Sequence, residues 1–493
     1  MSGSPSAAPS PPPPSLRRTL VKSAAQFSIG TFVAQGAALL RGLLAAHVLG
    51  PSVYGIWLGL RLFVDYGTVL DLGVVAGMFR NVPLLRGRGD HRAADEVRHT
   101  VFAFVLAMGL LGAIVLSATA AWWPRAGERQ VLIGTGAVIA INLLRSYFVS
   151  QLRASHRFGD VSLSAIIGGA VAVATIPLIY VAGLVGFVWG MFAQGLAEVL
   201  YVMARSGLPR PRLRWRVLAP QLAFGVPATL LGFLTALFLS IDRTVILQKL
   251  DAERLGWYGI AVLAGNILFT LSAAPSAVLS PRLAERLGAT GRPRDVAPLL
   301  TRALGPMSAG FAVFVGMMAI ALPATVKILL PKYLPGVDAA RIAVLAAYWQ
   351  LVATAAGTCL IVLNRQILNI VMLASAAAVS YGAARLLMHF QPTLLSVAIG
   401  TGFGVFLYAT TMLLAALTAF DLSARERLRQ LLVVVAPIAF VAVSVLVVDR
   451  VVRLWAPRET VRYAVAAEAA FLAVTSPWWW RALRAVLTTP RAP

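Results

Sequence analysis

Charge is scarce in this chain. Asp, Glu, Lys and Arg together make up 13% of its 493 residues, about half the share a soluble domain uses to cover its surface. That shortage excludes the string of soluble domains that length alone would suggest. Cysteine is nearly missing as well. The single Cys359 lies in an apolar run, so one chain offers no disulfide and no Cys-based metal site. The five histidines are scattered and form no set with metal-ligand spacing, so no metal and no cofactor is expected. There is no His-Glu-x-x-His, no Walker-type phosphate loop and no Gly-rich dinucleotide fingerprint after a strand. The chain does not read as an enzyme.

What is plentiful is apolar. Hydrophobic residues make up 59% of the chain, mean hydropathy is +0.80, and apolar runs long enough to span, about 20 residues each, recur along it. The fold class that follows is an all-α polytopic membrane protein with about 14 transmembrane helices. Their expected positions are 27–48, 54–79, 99–121, 131–150, 161–182, 184–204 and 219–241, then 257–280, 303–330, 342–363, 366–388, 394–420, 430–448 and 461–479. Several are amphipathic, notably the first two, as suits helices lining a polar interior. Residues 1–15 are Pro/Ser-rich and too poor in apolar groups to fold, so they read as a disordered tail. They lack the basic start of a signal peptide.

The net charge of +24 does not point to nucleic acid. Its basic residues sit in short clusters between apolar runs, as in the loops of a membrane protein, not on one soluble face. Of the 43 Lys and Arg, 27 fall in one alternating set of loops and ends, 10 in the other and 6 within spans. The positive-inside rule therefore places both termini in the cytoplasm. All loops of the outer set are short, the longest being about 242–256. A membrane glycosyltransferase or polysaccharide polymerase would need a sizeable outer segment for its acidic catalytic groups.

A weak internal repeat is visible. Phe27-Ser-Ile-Gly30 opens the first helix and Gly50-Pro51-Ser-Val-Tyr54-Gly55 follows it. Phe224-Gly225-Val-Pro227 opens the seventh, and Gly256-Trp-Tyr258-Gly259 follows that. Two six-helix lobes in parallel orientation are expected. They would occupy 16–218 and 219–420, with two additional helices and a short tail over 421–493.

An ordered set of motifs then suggests a family. It comprises Leu49-Gly50-Pro51-Ser-Val-Tyr54-Gly55-Ile-Trp57, Leu70-Asp71-Leu72-Gly73, Arg80 and Arg86-Gly87-Arg88-Gly89-Asp90, with Gln151-Leu-Arg153-Ala-Ser-His-Arg157-Phe158 further on. Ile241-Asp242-Arg243 and Tyr258-Gly259 complete it. The set resembles the polysaccharide-transporter branch of the multidrug/oligosaccharidyl-lipid/polysaccharide flippase superfamily. That resemblance covers about 260 residues by motif and the rest by helix count. It implies two six-helix lobes around a central cavity in a bacterial inner membrane. It also implies translocation of a polyprenyl-pyrophosphate-linked oligosaccharide from the cytoplasmic to the outer leaflet. The implied partners are that lipid-linked glycan and the bilayer, with other polysaccharide-assembly membrane proteins as candidates.

Charged residues within spans are functional candidates because they are expensive there. Gln26, Gly30, Ala34, Ala37 and Arg41 share one face of the first helix. Arg61 and Asp65 are four apart and face together, as an intrahelical pair or as a substrate or proton site. Asp71 points elsewhere and reads as fixing a helix end with Arg80. Arg145, Lys327 and Arg385 are further candidates, and His47 and His389 border outer loops. A pyrophosphate-linked sugar carries an anionic headgroup that must leave water, and Arg offers forked donors without ever deprotonating. Arg41, Arg61 and Arg145, with Gln26, are therefore the predicted cavity lining. Asp65 and Asp71 are ion-coupling or structural. An ion-coupled drug or metabolite antiporter of the same fold would want carboxylates there instead. A peptidoglycan-precursor flippase is chemically close to the leading reading. Gly186 and Gly190 have a close-packing spacing, and Pro177, Pro227, Pro275 and Pro323 are expected to kink or break their helices.

Overall fold

A computed structural model describes the backbone over 14–123, 126–155, 157–458 and 460–488, and side chains over 30–123, 128–155, 157–272, 279–280, 282–458 and 460–476. Gln26, Pro275, the aromatic run 478–480 and the tail before Pro14 lie outside these residues for side-chain purposes. Every regular element among the described residues is helical. The reason is the solvent: in a bilayer, backbone polar groups must be satisfied within their own segment. Eleven described helices are long and apolar enough to cross a membrane, and a shorter apolar one spans Phe158–Ala174.

The elements are α1 (Pro14–Gly67), α2 (Val74–Gly87), α3 (His91–Ala121), α4 (Ala126–Ala154), α5 (Phe158–Ala174), α6 (Ile176–Ser206), α7 (Trp215–Phe238) and α8 (Ile241–Lys249). They continue with α9 (Ala252–Thr290), α10 (Ala297–Leu329), α11 (Val337–Ala346), α12 (Tyr348–Val362), α13 (Gln366–Phe390), α14 (Leu394–Ala419), α15 (Ala424–Val452) and α16 (Val461–Thr488). Each of the fourteen expected helices has a counterpart, but boundaries differ where backbone chemistry intervenes. α1 runs through two of them and breaks at Gly50, whose φ of 70° leaves helical space. Pro51 then starts the next stretch, where a missing N–H costs nothing. The expected helix over 54–79 is interrupted by a 3-10 turn at Thr68–Asp71. The break expected between the fifth and sixth helices falls at Gly183, inside α6. α8 occupies what read as the longest outer loop.

The helices pack as two compact units. Among the described residues, the first holds the chain up to Leu44 and Gly67–Leu230; the second holds Ala45–Tyr66 and the chain from Leu231. The chain thus changes unit twice within α1, after Leu44 and after Tyr66, and once within α7, after Leu230.

In the first unit α3 packs on α4, α4 on α6, and α5 on α6. Phe102, Tyr147 and Phe148 form an aromatic cluster with centroids 5.1–5.9 Å apart, and the Tyr147 hydroxyl donates to the Arg98 carbonyl at 3.0 Å. Gly186 lies against the Leu178 carbonyl and Gly190 against Thr175, so the small-residue spacing serves close packing. Pro177 sits in the first turn of α6, and Pro227 lies inside α7.

In the second unit α12 and α13 pack on α14, and α15 and α16 pack on α10, which carries Pro323. Buried Asp449 ties the last two helices down. It accepts from Arg453 at 2.6 Å, from Arg341 of α11 at 3.4 Å and from the Tyr463 hydroxyl of α16. His47 donates to the Leu329 carbonyl at 3.0 Å, Arg385 donates to Gln248 at 3.4 Å, and Lys327 is in the last turn of α10.

Candidate functional site

The motif glycines explain themselves first. In the second unit a Cβ on Gly55 would strike the Ala252 carbonyl, and one on Gly256 would strike the Pro51 carbonyl. The contact is reciprocal, each glycine meeting the backbone four residues before its partner. Gly259 faces the ring of Tyr54, which is buried and edge-on to Tyr333 at 6.3 Å. The two halves of the sequence repeat are therefore a helix crossing, close because small residues let backbones approach.

The Leu-Asp-Leu-Gly motif is a turn. Asp71 accepts the Gly73 amide at 2.8 Å, which settles the end of the 3-10 turn. Gly73 has φ 75° and its backbone lies against the Gly225 carbonyl, so a side chain is excluded twice over. Arg80 does not meet Asp71 as expected from sequence; its guanidinium sits 4.5 Å from the Phe224 ring centroid, a cation–π arrangement.

Two sets of ionised side chains stand out, one in each unit. In the first, Arg41 is buried at 7% exposure, its guanidinium 5.7 Å from the Phe187 ring centroid. Arg145 reaches Glu198 at 3.4 Å, and Gln194 also donates to Glu198 at 3.3 Å. Glu198 is 4% exposed, and Gly168 of α5 makes room for its carboxylate. Arg41 lies within electrostatic reach of the same carboxylate. Reading the sequence missed Glu198, although an acid inside an apolar run is itself a signal.

In the second, Arg61 pairs with Asp65 at 3.7 Å, as their spacing predicts. Arg243 joins at 3.0 Å from the same carboxylate, and its side chain is 8% exposed. Beside them the Tyr66 hydroxyl and Ser240 share a 2.6 Å hydrogen bond. Asp242 lies 4.0 Å from the Arg243 guanidinium and accepts the Arg243 amide at 2.7 Å. The expected helix-end pair Asp242–Arg243 is thus the edge of a wider network.

Ser155 and Arg157, between α4 and α5, are anchored within the first unit. Arg86 donates to Ser155 at 3.0 Å, and Arg157 to Asp160 at 2.7 Å. Arg153 lines a cavity of about 300 Å³ together with Asp71, Ser146, Ser150 and Thr229.

Comparison with known proteins sharpens the identity. No curated protein matches the chain. Among solved structures the fold is similar to lipid II flippase MurJ in its inward closed conformation. The TM-score is 0.69 at 13% identity, over 93% of this chain and 99% of that one. It is also similar to the inward-facing conformation of a multidrug resistance MATE family transporter of the MOP superfamily. There the TM-score is 0.67 at 13% identity, over 81% of this chain and 98% of that one. A MOP superfamily transporter from Pyrococcus furiosus gives 0.58 at 14% identity, over 82% and 96%. Such distant likenesses show the fold alone, a helical architecture like that of these transporters. A family profile described as polysaccharide biosynthesis protein matches residues 87–337, more than half of the chain, and the protein belongs to that family.

Proposed function

We propose that this protein is a flippase that moves a polyprenyl-pyrophosphate-linked oligosaccharide from the cytoplasmic to the outer leaflet of a bacterial inner membrane. The observation that carries the reading is a set of arginines held in membrane helices of a polysaccharide biosynthesis family member. Arg41 is buried at 7% exposure, while Arg61 and Arg145 stay partly open, at 34% and 44%. A pyrophosphate leaving water needs fixed, forked donors of positive charge, and guanidinium groups supply them. Gln26 would add a neutral donor and acceptor from α1.

In this reading the cargo enters from the cytoplasm, its lipid tail remains in the bilayer, and rocking of two lobes exposes the headgroup outside. Both termini stay cytoplasmic, and 421–493 is an added pair of helices. Asp65 and Asp71 serve structure rather than ion coupling: Asp65 is shared by two guanidiniums and Asp71 caps Gly73. The same pairing argues against a cation antiporter, which wants carboxylates free to take a proton or metal ion.

The test follows lipid-linked oligosaccharide in cells lacking this protein, complemented with wild type, Arg41→Ala or Arg61→Ala. The expected result is accumulation in the cytoplasmic leaflet, relieved by wild type and not by well-expressed variants. Normal translocation in the deletion strain, with no redundant flippase, refutes the reading.

A further inference from the structure

The cavity of the first unit has a chemistry unlike that of the arginine sets. It measures about 300 Å³ and is lined by Asp71, Val75, Phe79, Ser146, Ser150, Arg153 and neighbouring small residues up to Thr229. It carries one carboxylate and one guanidinium, so its lining has no net charge. A pyrophosphate would meet the Asp71 carboxylate as well as Arg153, and the like charges repel. This is a poor place for the anionic part of a lipid-linked glycan.

A sugar ring asks for something different. Vicinal hydroxyls each donate and accept, and their complement is a carboxylate acceptor, a guanidinium donor and side-chain hydroxyls that do both. Asp71, Arg153, Ser146, Ser150 and Thr229 are that inventory. A pyranose also presents a C–H face that packs on an aromatic ring, and Phe79 is 48% exposed at the cavity wall. The volume stands at the lower edge of ligand pockets, about 300–1,000 Å³, which suits one or two rings and not a long glycan.

The lining is also pre-arranged. Ser146, Ser150 and Arg153 lie at i, i+4 and i+7 of α4, one helical face. Asp71 is fixed across from them by the Gly73 amide at 2.8 Å. Groups held on rigid elements before the ligand arrives lose little freedom when it binds.

We infer that this α2–α4–α7 cavity is a saccharide subsite that takes an uncharged pyranose ring, with Asp71 and Arg153 as its principal polar contacts and Phe79 as its apolar face. The inference rests on the flippase reading only for the source of the sugar, the glycan of the lipid-linked cargo.

The test uses the full chain in lipid nanodiscs. Methyl glycosides of glucose, galactose, mannose, rhamnose and N-acetylglucosamine are titrated by saturation-transfer NMR and calorimetry. At least one is expected to bind. Asp71→Asn, which keeps an oxygen for the Gly73 amide, is expected to weaken it about tenfold or more, as loss of a charged hydrogen-bond partner does. Ser150→Phe fills the cavity and is expected to abolish binding, and Thr229→Val gives a second, isosteric removal of a hydroxyl should Ser150→Phe fold poorly. Inorganic pyrophosphate is expected not to displace the glycoside. Binding by no glycoside, binding unchanged in every folded variant, or displacement by pyrophosphate overturns the assignment. Translocation of a fluorescent polyprenyl-pyrophosphate glycan is followed in the same preparation. Translocation without glycoside binding removes the subsite and leaves the flippase. Asp71-dependent glycoside binding without translocation removes the flippase and leaves the subsite.

Discussion

In the first unit, Glu198 is met by one guanidinium at 3.4 Å, from an Arg145 side chain that is 44% exposed. In the second, Asp65 is shared by two, Arg243 at 3.0 Å and Arg61 at 3.7 Å, and Arg243 is 8% exposed. The residue types are the same, yet the physics differs. A guanidinium that is nearly half exposed remains solvated and is free to exchange partners, so it suits a cargo that must be held and released. A buried guanidinium cannot lose its carboxylate without a large desolvation penalty. On the proposed flippase reading the first arrangement serves the cargo, whereas the second ties segment 45–66 to α8.

The strongest way to break this comparison is Arg243→Ala. Removing one partner of a buried ion pair typically costs about 3–5 kcal/mol, and the variant deletes the 3.0 Å contact to Asp65 while the Arg61 pair stays at 3.7 Å. A marked fall in thermal midpoint in detergent is expected; a change under 1 kcal/mol would place Arg243 with the exchangeable set. Next comes the glycine crossing in the same unit. Gly256→Ala pushes a methyl into the Pro51 carbonyl and should cost about 1–3 kcal/mol, as overpacking does. A neutral result would mean that the crossing opens readily.

Smaller effects sharpen the contrast. Arg145→Ala should cost about 1–3 kcal/mol in stability: the guanidinium itself is partly solvated, but its loss leaves the buried Glu198 carboxylate with the Gln194 amide at 3.3 Å. The same variant should lower translocation several-fold, so a stability loss without a transport loss would reverse its assignment. Tyr66→Phe removes the 2.6 Å bond to Ser240 and should cost about 1 kcal/mol. Denaturation of both variants in one series would read the ranking directly.

Much of this was legible before any coordinates. Apolar runs gave the helices, since a bilayer leaves the backbone few alternatives. Arg61 and Asp65 were predictable as a pair because helical pitch brings i and i+4 together. Asp71 was legible only in part. Its offset from Asp65 showed that it faces elsewhere, but its partner is the amide two residues on and not Arg80, a local turn that helical periodicity cannot express. The short polar α8 read as a loop because nine residues (Ile241–Lys249) are too few to show an apolar face. Glu198 carried a readable signal, an acid in an apolar run, that was passed over.

By itself the sequence determined the solvent this chain lives in, its helices and the positions of its glycine and arginine motifs. These follow from composition and short-range spacing, where each residue's neighbours are known in advance. Only the tertiary structure decided that Ala45–Tyr66 packs with the second half of the chain, and that Arg243 reaches an aspartate 178 positions away. Only it brought Asp71, Ser150, Arg153 and Thr229 around one cavity. The physical reason is that such contacts depend on how closely helix backbones approach, and small residues such as Gly55, Gly73, Gly225 and Gly256 set that distance without naming the partner helix.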